Sequence, residues 1–168
     1  MTFDLNDQRH LEAAEGWLEL GLHLEANVEL EKITPQLRGH PDVLELRWHI
    51  FAKEKKWEAC IDIATATIKL APKKSGGWIH RSFALHELHR TQEALDQLLP
   101  VAGGFPKVWT IPYNLGCYCS VLHQFDEAQK WLKQAIAVDE ETVKRAALED
   151  EDLKPLWDSM GGTIWKRE

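Results

Sequence analysis

The dipeptide Glu-Ala recurs along this chain at Glu25-Ala26, Glu58-Ala59, Glu93-Ala94 and Glu127-Ala128. The intervals between the alanines are 33, 35 and 34 residues. Four residues after each comes a bulky aliphatic (Leu30, Ile63, Leu98, Leu132), and seven after each comes Ile33, Ala66, Val101 or Ala135. Positions i, i+4 and i+7 share one face of a helix. A period of this length marks a helical unit used again and again, each copy burying its apolar face against the next. This constrains the fold more than any other feature of the chain.

The best-preserved copy lies between Tyr113 and Ala135. Leu115, Gly116 and Cys119 give a first helix its small and apolar face, His123-Gln124-Phe125 form a joint, and Ala128, Trp131, Leu132 and Ala135 form the apolar face of a second helix. Glycine inside a helix costs about 1 kcal/mol relative to alanine, so Gly116 is expected where a neighbouring element comes too close for any side chain. The third copy keeps Trp78, Ser82 as the small residue, Leu85, Ala94 and Pro106; the first keeps Ala14, Trp17, Gly21 and Ala26. The second is degenerate at its front, with Arg47 in the small-residue position.

From about Asp7 to Val138 this pattern resembles the tetratricopeptide repeat (TPR), W-x2-L-G-x2-Y followed by A-x3-F and P. The resemblance implies an all-α fold, a right-handed superhelical array of antiparallel helix pairs (a TPR-like α-solenoid). It implies one domain over residues 1–162, with repeats at about 7–39, 40–73, 74–107 and 108–140 and a cap at 141–160. Residues 163–168 remain as a tail, in which Trp165 is a candidate docking side chain.

Local signals refine the boundaries. Asn6 or Asp7 is the expected start of the first helix, which runs to about Leu22, and Pro35 is expected to end its partner early. Pro41 suits a first helical turn, while Pro100 with Gly103-Gly104 should stop the sixth helix short. Beyond Val138 the period is lost. Two short helices around Val143 and Leu156, divided by the acidic run Glu149-Asp150-Glu151-Asp152, are expected to close the array with a polar outer face.

The composition narrows the function classes. A net charge of −7 argues against a phosphate-backbone partner. No run of 18 apolar residues is present, and the polar, acidic start Met1-Thr2-Phe3-Asp4 is unlike a secretory leader, so a membrane partner is not expected. Three cysteines make no disulfide framework, which places the chain in a reducing cytoplasm by default. No glycine-rich phosphate loop, nucleophile elbow or paired-carboxylate arrangement stands out. The chain is therefore expected not to be an enzyme and to need no cofactor. His80, His86, His89 and His123 are read as solvated side chains near helix ends rather than metal ligands, since a zinc site needs three or four converging groups.

Binding is better supported. In proteins of the resembled family, the first helices of successive units line a concave groove that takes a peptide. The resemblance places Leu11, Glu15 and Leu18 there from the first unit, and Leu44, Trp48 and Phe51 from the second. Ile79, Phe83 and His86 follow from the third unit, then Tyr113, Cys117 and Ser120, with Asn114 adjacent, from the fourth. Such a surface suits an apolar anchor on a protein or peptide segment. The chaperone-tail clamp known in this family is not matched. Its cationic and amide positions fall on Leu11, Glu15, Glu45, Gly76 and His80. Two alternatives remain: a cytoplasmic chaperone of secretion translocators, and a homo-oligomeric assembly module exposing some of the eight tryptophans.

Overall fold

In a computed structural model, residues 2–162 are described; Trp165 and the rest of the expected tail lie outside them. The first helix, α1 (Leu5–Glu19), starts ahead of the expected Asn6 or Asp7, because the Asp4 carboxylate caps it by accepting from the Asn6 and Asp7 amides. The buried Asp7 carboxylate accepts the Thr34 amide at 2.7 Å, pinning the end of the next helix. That helix, α2 (His23–Lys32), stops ahead of Pro35, which opens a short 3-10 turn.

Then come α3 (Pro41–Lys53), α4 (Trp57–Leu70), α5 (Gly76–Glu87) and α6 (Thr91–Leu98). Pro100 and Gly103-Gly104 lie in a 3-10 stretch that ends α6 early. The remaining helices are α7 (Thr110–Val121), α8 (Phe125–Val138), α9 (Glu140–Ala147) and α10 (Lys154–Met160). No strand occurs among the described residues. The chain divides into two compact units, the first ending at Ala84 and the second beginning at Leu85.

One turn is repeated at every within-pair joint. Gly21, Lys55, His89 and His123, each 34 residues after the last, all have positive φ (76°, 55°, 60° and 58°). At each, the left-handed residue donates to the carbonyl three back, and the next amide donates to the carbonyl five back: Leu22 to Trp17, Lys56 to Phe51, Arg90 to Leu85, Gln124 to Cys119. These bonds satisfy carbonyls that a helix end would otherwise leave bare. Only the first joint uses glycine. The others accept a backbone cost of roughly 1–2 kcal/mol, which explains why no glycine signal marks them in the sequence.

The buried face corrects the second repeat by one residue. Ala26, Ala94 and Ala128 are fully buried, but Ala59 is not; Cys60 takes its place at 0% exposure, followed by Ala64 and Thr67. With Cys60 the spacing becomes 34 throughout (26, 60, 94, 128). The small-residue position of the first helix moves likewise from Arg47 to Trp48, in register with Ala14, Ser82 and Gly116. Arg47 instead reaches sideways to Glu31 at 2.9 Å.

A size exchange makes this register hold. In the fourth unit Gly116 leaves room for Leu132, whose Cγ lies only 2.9 Å from where a Cβ on residue 116 would stand. In the second repeat the large group comes from the other helix. The Trp48 ring, 6% exposed, packs with Cys60, Ala64 and Ala84.

Candidate functional site

With the period fixed at 34, equivalent positions on the first helices fall at residues 11, 45, 79 and 113, and again at 15, 49, 83 and 117. In the first compact unit this brings Leu11, Glu15, Glu45, His49, Ile79 and Phe83 into corresponding places. The second repeat thus contributes polar residues at these positions. Trp48, expected on the groove, is buried inside the helix pair. Phe51 is half-buried, packs against the apolar clusters on either side of α3, and carries the Lys56 ammonium 5.3 Å above its ring.

Glu45, His49 and His80 converge. Glu45 and His49 are one helical turn apart on α3, and His80 approaches from α5. One Glu45 carboxylate oxygen lies 3.7 Å from His49 Nε2 and 3.5 Å from His80 Nε2. The His80 ring lies nearly parallel to Trp48, at 8° and 4.0 Å between centroids, so the indole that fills the core also fixes the imidazole. Burial pushes the His80 imidazole down to about 4, keeping it neutral at physiological pH. The neighbouring His49 imidazole is the main influence that holds the Glu45 carboxyl below the usual carboxylate range. Ile79 is half-buried beside this cluster, and Phe83 is 36% exposed, its ring edge against Trp48 and Trp57.

In the second unit the corresponding face is covered by the chain itself. Tyr113 is 7% exposed and donates its hydroxyl proton to the Asp150 carboxylate at 2.6 Å. Cys117, 3% exposed, points its thiol at the same oxygen. Burial makes both groups harder to ionise, and the Asp150 charge adds to this. The Leu156 amide donates to Ser120 Oγ, and Leu153 and Leu156 are fully buried. His86 Nε2 lies 2.9 Å from Asp152, while its Nδ1 meets Thr91 Oγ1 at 3.0 Å. Asn114 is half-buried next to Tyr113. The acidic run after α9 therefore anchors a segment against α7, a role that an aperiodic stretch does not announce in sequence.

A separate apolar recess of about 400 Å³ lies in the second unit, lined by Phe105, Pro106, Pro112, Trp131 and Val138. No helix among the described residues is long and apolar enough to cross a membrane.

The helix pairs, the repeated left-handed joint and the 34-residue register define an all-α array of the TPR type. Solved structures agree. The thermophilic TPR protein TTC0263 of Thermus thermophilus superposes with a TM-score of 0.76 at 20% identity, covering 92% of this chain and 83% of that one. MamA residues 41 to the end from Desulfovibrio magneticus gives 0.71 at 16% identity, over 95% of this chain and 94% of that one. No family model and no curated protein matches the sequence.

Glu45 and His49 are not among the residues expected at a site, although their i, i+4 spacing on one helix is plain in the sequence. The one-residue phase error in the second repeat places Trp48, rather than His49, on the accessible face.

Proposed function

We propose that the chain is a non-catalytic scaffold that captures a peptide or protein segment on the first helices of its repeats, within a reducing cytoplasm. The observation that supports this reading is Phe83. A phenylalanine more than a third exposed, backed by Trp48 and Trp57 and flanked by Ile79, is a rigid apolar anchor point rather than a core residue. Glu45, His49 and His80 beside it supply polar contacts that fix the direction of a bound backbone. Trp48 supports this surface from below. Three free, buried cysteines suit a reducing compartment.

The partner is a segment carrying an apolar side chain for Phe83 and Ile79. The test uses the full chain to capture binding proteins from its native host, followed by affinity measurements on the captured partner. Phe83→Ala weakens binding about tenfold or more, as expected when an aromatic anchor is lost. Affinity unchanged in both Phe83→Ala and Ile79→Ala sinks the assignment.

A further inference from the structure

The geometry points to a divalent transition-metal site formed by Glu45, His49 and His80. Two imidazoles and one carboxylate are a donor set that zinc takes in sites with one open position. The three donor atoms all lie within 4.8 Å of one another. Bonds of about 2.0–2.2 Å in a tetrahedron separate ligand atoms by roughly 3.3–3.6 Å. The Glu45 oxygen already stands 3.5 Å from one imidazole nitrogen and 3.7 Å from the other. A small contraction of exposed side chains completes the triangle.

The surroundings favour a built site over a chance meeting. His80 is 14% exposed and is held by the Trp48 stack, so its ring does not have to be ordered on binding. The two imidazole planes stand at 80°, which lets both nitrogens turn toward a common point without ring collision. Gly76, at the start of α5, leaves room for the carboxylate: a Cβ there would come 3.3 Å from Glu45 Oε2. His49 and Glu45 are nearly half exposed, which leaves an entry path and a fourth coordination position for water. Oxygen–imidazole donors of this kind suit Zn²⁺, with Ni²⁺ and Cu²⁺ as competitors, and disfavour Ca²⁺ and Mg²⁺. Bound metal would tie α3 to α5 through three side chains. It also gives the accessible face of the first unit a cation able to accept a histidine, cysteine or carboxylate from outside. The site stands whether or not the scaffold reading is correct.

The test uses the full chain without an affinity tag, stripped by a chelator and titrated with Zn²⁺ by calorimetry. One equivalent per chain and a higher Tm in the loaded protein are expected. Cobalt substitution should give the intense visible absorption of a four-coordinate ion. Glu45→Gln and His49→Ala replace exposed side chains and should leave the helical circular dichroism intact while weakening zinc at least about tenfold. His86→Ala, outside the triad, should leave zinc affinity unchanged. Absence of stoichiometric zinc, or zinc affinity unchanged from the parent in Glu45→Gln and His49→Ala, overturns the site.

Discussion

The second and fourth repeats fill one interhelical slot in opposite ways. In α7–α8 the first helix gives nothing, Gly116, and the second gives Leu132; in α3–α4 the first helix gives Trp48 and the second gives Cys60 and Ala64. The slot takes its bulk from one helix or the other, with a small residue opposite. Close packing at crystal-like density leaves no other choice. The difference also has a functional side. The leucine acts inside the pair, whereas the buried tryptophan also stacks on His80 and backs Phe83.

The comparison is tested most severely by emptying the larger plug. Trp48→Ala should cost about 3–5 kcal/mol, read from urea unfolding of the full chain. If volume alone matters, Ala64→Leu should lessen that loss, and the two changes should couple by about 1 kcal/mol or more. Strict additivity would mean that the indole contributes through something other than filling the slot. The complementary change is Gly116→Ala. Its methyl would meet Leu132 Cγ at 2.9 Å and the Ala128 carbonyl oxygen at 3.4 Å. Overpacking costs about 1–3 kcal/mol, against about 1 kcal/mol returned by better helix propensity. A net loss is expected, and Leu132→Ala as background should remove it. A Gly116→Ala variant more stable than the parent would show that the slot has slack.

How far the sequence spoke follows the same lines. The period and the helix pairs were legible, because three of the four Glu-Ala alanines, Ala26, Ala94 and Ala128, are buried. The second repeat misled by a single residue: Glu58-Ala59 imitates the motif, while Cys60 carries its packing role. Tryptophan in a small-residue position defeats a pattern that scores each position separately, since the small residue has moved to the partner helix at Ala64. The joints were legible as joints, but not as left-handed, because Lys55, His89 and His123 occupy a conformation usually signalled by glycine. Of the candidate surface, Ile79 is half-buried and Phe83 partly exposed. Tyr113 and Cys117 lie under residues 150–156, a long-range contact with no periodic trace.

The smallest expected effect concerns Cys60, which replaces the alanine found at the equivalent place in the other three repeats. Burial raises its thiol from 9.0 to about 11, and burial does the same for Cys119. In the unfolded chain these thiols lose their protons near their ordinary values, while the native chain retains them. Between about pH 9 and 11 the native state therefore binds more protons, and stability falls as pH rises through that window. At pH 7 both states are protonated and no effect is expected. Cys60→Ala should make the alkaline decline shallower without removing it, since Cys119 titrates in the same range. Paired urea titrations at pH 8 and 10 measure this. An unchanged decline would place the Cys60 thiol in contact with water, and the Trp48 slot would then be open to solvent rather than closed like its counterpart around Gly116.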